Sequence, residues 1–103
     1  MNKKIQIRYL PSFYKDLEKI IKYIRYKLNN TIAARELLKD IEKEIEKRRY
    51  NPKSYEKYDS YKKRKDIYYK IHIKSYIIFY IVKDETMEVR RILYGRRDFK
   101  KII

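Results

Sequence analysis

His72 is the only histidine in this 103-residue chain, and Lys70 stands two positions before it. In an extended strand, residues at that spacing share a face and lie about 7 Å apart, a span that one phosphodiester can bridge. Downstream come Tyr94, Gly95, Arg96, Arg97 and Asp98. Imidazole exchanges a proton near neutral pH, and cationic side chains stabilise a phosphate that gains charge in a transition state. Attack of an RNA 2′-hydroxyl on its neighbouring phosphate needs a proton acceptor, a proton donor and such cations. His72, Arg97 and Lys70 are therefore the candidate catalytic residues, with Arg97 offering two N–H groups to the dianion. Tyr94 is suited to stack a base or to help in proton transfer. Each residue also has a plainer reading. A lone histidine on a polar strand face is often just exposed, and Arg96-Arg97 beside Asp98 can form a local ion pair worth about 0.5 kcal/mol.

Several other chemistries lack their residues. The chain has no cysteine, so it has no disulfide framework, thiolate zinc site or thiol nucleophile. One histidine excludes a multi-histidine metal site, although carboxylates could still hold a hard cation. Gly95 is the single glycine, which excludes a glycine-rich phosphate loop. No local signature supports a Ser-His-Asp triad. Neither a metal nor a cofactor is expected.

The formal net charge is +15. Such an excess of lysine and arginine predicts salt-dependent attraction to a polyanion or to an acidic partner. Codon bias is the competing explanation, because the chain is rich in Lys, Ile, Tyr and Asn. Both halves are similarly basic, so charge marks no domain boundary, and the length suits one domain over residues 1–103. No apolar run approaches the roughly 20 residues that span a bilayer, and there is no secretory leader pattern, so a cytoplasmic location away from membranes is expected.

The elements that must position these side chains follow from periodicity. Residues 3–9 alternate Ile5, Ile7 and Tyr9 against Lys4, Gln6 and Arg8, as a half-buried strand does. Pro11-Ser12 breaks it, with Ser12 as the expected N-cap of a helix whose stripe is Phe13, Leu17, Ile20, Ile21, Ile24 and Leu28. Asn29-Asn30-Thr31 separates a second helix, capped by Asn30 or Thr31. Its stripe is Ala34, Leu37, Leu38, Ile41 and Ile45, and it ends before Asn51-Pro52. So short a link makes the pair an antiparallel hairpin. Residues 68–74 alternate Tyr69, Ile71 and Ile73 against Tyr68, Lys70, His72 and Lys74. Residues 76–82 are apolar on both faces, as in a central buried strand. Residues 83–86 form a four-residue connection to a third strand over 87–94, and Gly95 is expected to turn the chain sharply there. The fold class is α+β: an N-terminal strand, an antiparallel helix hairpin, then a three-stranded antiparallel meander, forming one sheet packed on the helices.

Residues 53–66 follow neither period. Tyr55, Tyr58 and Tyr61 lie among charged side chains, and the stretch leads into Lys62, Lys63, Arg64 and Lys65. Tyrosines interleaved with cations suit single-stranded RNA; the alternative is a solvated loop whose rings pack back on the sheet. With Arg96, Tyr94 and Lys74, these four basic residues are the candidate nucleic-acid contacts. The apolar pair Ile102-Ile103 could dock on the fold or on a partner.

The order of these elements resembles the RelE/ParE superfamily of toxins from type II toxin–antitoxin systems. Phe13 with Asp16-Leu17, Ala33-Ala34, the run Tyr76-Ile77-Ile78-Phe79-Tyr80, and residues 89–98 ending in YGRRD carry the likeness across the chain. The resemblance implies a toxin neutralised by a small acidic antitoxin encoded beside it. In the RelE pattern the first meander strand holds two lysines; Lys70 matches the first and His72 occupies the second. The arginine after the last strand matches Arg97. The arginine expected after the central-strand tyrosine is Ile77 here, and the C-terminal catalytic tyrosine falls near Ile103. Ribosome-associated mRNA cleavage is the expected activity, that of a metal-independent endoribonuclease acting on ribosome and mRNA. ParE-like inhibition of DNA gyrase without nuclease chemistry is the alternative. A non-toxic basic nucleic-acid-binding module is the third reading.

Overall fold

The computed structural model describes residues 5–58 and 65–96. Its elements run β1 (Gln6–Tyr9), α1 (Pro11–Lys22), a π-helical turn (Tyr23–Lys27), α2 (Thr31–Arg48), a 3-10 turn (Pro52–Ser54), β2 (Tyr69–Ile73), β3 (Tyr76–Lys83) and β4 (Thr86–Tyr94). The expected α+β class holds, with the helices packed on one face of a single four-stranded sheet ordered β1-β4-β3-β2. The sheet is mixed: β2, β3 and β4 form the antiparallel meander, whereas β1 runs parallel to β4 from Gln6↔Thr86 to Tyr9↔Val89.

Alternation is realised as expected in β2. Tyr69, Ile71 and Ile73 are buried against the helices, while Lys70 and His72 face the other way. β3 is apolar on both faces because both are covered. Ile78 and Tyr80 join the core under Phe13, Leu37 and Ile45, and Ile77 and Phe79 pack on the far side with Leu93, Tyr58 and Tyr68.

β1 ends at Tyr9, but β4 continues for five more residues, and α1 takes over its open edge. The Leu10 N–H donates to Val89 O at 3.0 Å. Ser12 Oγ donates to Arg90 O at 2.7 Å, and Asp16 Oδ2 accepts from the Ile92 N–H at 3.1 Å. An unpaired strand edge would leave these groups to water or to another chain. Ser12 is thus engaged with β4 and is not the N-cap. That position falls to Leu10 without a side-chain bond, and Pro11 at N1 supplies a preset φ and lacks a donor that would be orphaned there.

A bulge in β3–β4 sets Phe79 opposite Arg91 and Tyr80 opposite Val89, leaving Arg90 with no residue opposite it. The two adjacent arginines consequently diverge. Arg90 donates to Glu88 and Tyr68, and Arg91 grips Asp16 of α1 through bonds of 2.6 and 2.8 Å.

Two apolar positions depart from the expected stripes. Leu28 is exposed because the π turn, closed by the Leu28 N–H on Tyr23 O at 3.1 Å, rotates the chain out of the 3.6-residue register. Leu38 is exposed on the flank of α2, whose buried line is Ala34, Leu37, Ile41 and Ile45. Asn30 caps α2 as expected, accepting from the Ala33 N–H at 3.0 Å.

Gly95 has no positive φ. Its role is close approach: its N–H donates to Ser75 O at 2.8 Å, and a Cβ there would sit 3.2 Å from that oxygen. The β3–β4 connection is two residues, with Lys83 paired to Thr86, and Asp84 and Glu85 at φ 50° and 59°. Such a turn favours Asn-Gly, because side chains are strained at positive φ. The Asp84→Asn/Glu85→Gly double variant should be about 1 kcal/mol more stable than wild type. An unchanged or lowered thermal midpoint would contradict that assignment of strain.

Tyr80 donates to the Pro52 carbonyl at 2.6 Å, and burial pushes its phenol from 10.0 up to about 12. The folded state therefore holds this proton more tightly than the unfolded chain does. The resulting stability is complete below the unfolded value and is lost as pH rises through the folded one. Tyr80→Phe should cost about 1–2 kcal/mol at neutral pH by stranding the carbonyl. It should also flatten the fall in melting temperature above roughly pH 10. A variant melting with the wild-type pH profile would show that Tyr80 does not govern alkaline unfolding.

Candidate functional site

β2 is an edge strand, and residues 56–58 cover its outer side. The Lys70 N–H donates to Glu56 O at 2.9 Å, the Tyr58 N–H donates to Tyr68 O at 2.8 Å, and Lys57 bridges Tyr69. This strap is fastened along its length. Tyr80 holds Pro52, and the Arg48 guanidinium lies 3.8 Å from the centre of the Tyr55 ring while donating to Lys70 O at 3.1 Å. Tyr58 meets Phe79 edge-on at 5.4 Å. Tyr55 and Tyr58 therefore follow the plainer expectation and pack back on the fold.

The strap delivers a carboxylate to the predicted catalytic pair. Glu56 Oε1 lies 2.9 Å from His72 Nε2 and 3.1 Å from Lys70 Nζ. Two side chains spaced along the strand thus converge on one oxygen. Hydrogen bonds from His72, and then from Lys70, hold the Glu56 carboxyl below its ordinary value. Lys70 also lies 5.9 Å from the Tyr58 ring centre, and its side chain is mostly covered. The imidazole keeps 59% of its surface open. The cluster combines a carboxylate that orients, an imidazole that can exchange a proton, and an ammonium beside both.

Two hollows meet at His72. The larger, about 350 Å³, is lined by His72, Lys74, Ser75, Tyr76, Ile77, Tyr94, Gly95 and Arg96. Tyr94 stands edge-on to Tyr76 at 6.0 Å and is exposed, as is Arg96. The smaller, about 250 Å³, has Asp40, Lys43 and Glu44 of α2 on its far wall. His72, Tyr94 and Arg96 thus line one hollow.

Lys74 lines both hollows beside His72 but lies beyond the end of β2. At φ 51° it belongs to the β2–β3 turn, and its ammonium reaches toward α2, 3.6 Å from Asp40 and 3.8 Å from Glu36. It does not continue the face of Lys70 and His72, because the left-handed turn residue breaks the alternation. Lys65 is exposed and does not line either hollow. Arg97, Lys62, Lys63 and Arg64 lie outside the described residues, as do Tyr61, Asp98 and the Ile102-Ile103 pair.

Glu56 and Arg48 are the residues that sequence reasoning missed. Glu56 sits in a stretch with no period, and its hydrogen-bonded partner His72 is 16 positions away. Arg48 is the last residue of α2, outside the apolar stripe that periodicity reads. Among the described residues, no cluster of three or more His, Asp or Glu side chains could hold a metal ion. No described helix is long and apolar enough to cross a membrane.

The family model described as ParE toxin of type II toxin–antitoxin system, parDE, matches residues 7–99. The chain belongs to the ParE toxin family. The match runs from within β1 through both helices, the strap and the whole meander. No curated protein matches the chain in a sequence search. As a type II toxin it has an antitoxin for a partner.

Glu56 competes with any external anion for Lys70 and His72. Glu56→Gln should release the pair and tighten binding of a single-stranded RNA oligonucleotide. The slope of log K against log salt should steepen by roughly 0.7 for each cation freed. Weaker binding with an unchanged slope would show that this edge does not meet phosphate.

Proposed function

We propose that the toxin arrests growth by cutting RNA in the context of translation, with the Glu56–His72–Lys70 cluster as the reacting centre. The observation that supports this reading is the convergence of imidazole, ammonium and carboxylate beside an open hollow edged by Tyr94 and Arg96. His72 takes the proton of the attacking 2′-hydroxyl and Glu56 holds the imidazole in place. Lys70 and Arg96, with Arg97 following it, draw the phosphate in and stabilise its developing charge. Tyr94 offers a face on which a neighbouring base stacks. The 2′-oxygen bonds to phosphorus as the P–O5′ bond breaks, giving a 2′,3′-cyclic phosphate, and the departing 5′-oxygen takes a proton from water to leave as the hydroxyl.

A second reading is inhibition of DNA gyrase without nuclease chemistry, and two observations favour it. The matching family model is that of ParE toxins. Ile77, standing where RelE-like toxins place an arginine, is packed into the outer apolar cluster with Phe79 and Leu93 and offers no phosphate contact.

Purified toxin incubated with translating ribosomes and mRNA, followed by primer extension, separates these readings. Cleavage should fall on the order of 100-fold in His72→Ala and at least about tenfold in Glu56→Gln, with unchanged circular dichroism. Undiminished cutting or undiminished growth arrest in both variants would refute the assignment. Loss of supercoiling with purified gyrase, insensitive to His72→Ala, would establish the second reading instead.

A further inference from the structure

The larger hollow beside His72 does not stop on the face that carries the imidazole. Its lining takes Ile77 from the far face of the sheet and Tyr76 from the helix face, so it curves around the sheet's end. Tyr76 and Tyr94 stand opposite one another in register, with ring centres 6.0 Å apart and planes at 84°. An edge-on pair uses at most one ring face, which leaves the other faces open to a further planar group. Partial burial, then Tyr23 and Tyr94, holds the Tyr76 phenol above its ordinary value. The Tyr23 hydroxyl, on the π turn that follows α1, is therefore within electrostatic reach of Tyr76, and Tyr23 is 53% exposed. Three tyrosines thus run in a line away from the hollow, each with a hydroxyl able to donate to a phosphate oxygen.

Cations continue the line. Lys19 and Lys27 lie about one turn to either side of Tyr23, and both are exposed. Neither has a carboxylate partner among the described residues, whereas Lys22 is held by Glu18 at 2.8 Å. A lone exposed tyrosine or lysine is ordinary surface. Aromatic faces followed by free ammonium groups, leading out of an open hollow, are instead the parts of a single-strand track. In such a track rings stack on unpaired bases while cations meet the backbone. A duplex hides its base faces and gains nothing from the rings.

We propose that Tyr94, Tyr76 and Tyr23, with Lys19 and Lys27 beside them, form a track for the unpaired RNA that flanks the phosphate at His72. The inference rests on the RNA-cutting reading and adds the path of the substrate to it. The strand turns over the end of the sheet and leaves along the π turn. Affinity then depends on the length of unpaired RNA beside the cut and little on its sequence, because every base has a face to stack.

The test titrates the full-length toxin with fluorescently labelled 2′-O-methyl oligoribonucleotides of about three and about ten residues. Tyr23→Ala should raise the Kd for the longer probe about tenfold and leave that for the shorter within about twofold. Tyr23→Phe, which keeps the ring, should stay within about twofold of wild type on both. Lys19→Gln/Lys27→Gln should lower the slope of log K against log salt for the longer probe by roughly 1.4. Melting temperatures should match wild type, since all three positions are exposed; a structural role for Tyr23 would instead lower the melting temperature and weaken both probes alike. Binding of the longer probe within twofold of wild type in both Tyr23→Ala and the lysine variant would overturn the inference. So would an equal loss in Tyr23→Ala on a duplex of the same length, which would mean that the line meets backbone and not bases. A wild-type toxin that binds neither oligonucleotide would remove the RNA-cutting reading itself. Intact binding in Tyr23→Ala, with His72→Ala weakening both probes, would remove the track alone.

Discussion

A chain with 29 lysines and arginines and 14 aspartates and glutamates cannot give each cation its own carboxylate, so the placement of its acids shapes both fold and surface. Asp16 shows the structural use. Its carboxylate holds Arg91 through two bonds and accepts the Ile92 N–H, which joins α1 to the edge of β4 where β1 has ended. A charge-assisted bidentate pair with little solvent access is stronger than a surface ion pair, and this one spans 75 residues of sequence. Glu56 shows the other use. It is placed by a strap rather than by a strand or helix, and it gathers the Lys70 ammonium and the His72 imidazole of β2 onto one oxygen.

These two arrangements depend on each other through the sheet. The grip of α1 on β4 and the bulge at Arg90 keep β3 and β4 in register, and β3 in turn carries β2, on which Lys70 and His72 sit. Arg48 ties the end of α2 to both the β2 backbone and the Tyr55 ring, so the strap position is fixed from the helical side as well. The site is thus built on an edge strand yet held by groups from nearly every element. Such support is what keeps acid–base groups oriented on an otherwise exposed face.

Local pattern made much of this fold legible. The alternation of Tyr69, Ile71 and Ile73, the doubly apolar β3 and the Asn30 cap are properties of short windows, and each appears as read. Periodicity has no means of registering an inserted residue, which is why the π turn and the exposed Leu28 were not foreseen. Nor does it specify that β1 lies parallel to β4, since that pairing is set by how the helices cross the sheet. That Lys70 and His72 share one face of β2 was legible from strand alternation, and the nearness of Tyr94 and Arg96 to the sheet's end from their place after the third strand. Glu56 was not, because a segment that makes only a bridge and two backbone bonds leaves no repeating signal. The ion pairs of Lys74 with α2 were hidden for a related reason: one left-handed residue at the strand end carries its ammonium toward Asp40.

The central claim is that RNA phosphate meets the imidazole held by Glu56. Because His72 is the only histidine, its ring gives a single, self-assigned pair of carbon-bound proton signals in a nuclear magnetic resonance spectrum. Adding a 2′-O-methyl oligoribonucleotide, which binds but cannot be cut, should shift those signals in a saturable way, and the shift should disappear in high salt. Signals that stay fixed while the oligonucleotide saturates elsewhere on the protein would contradict the account.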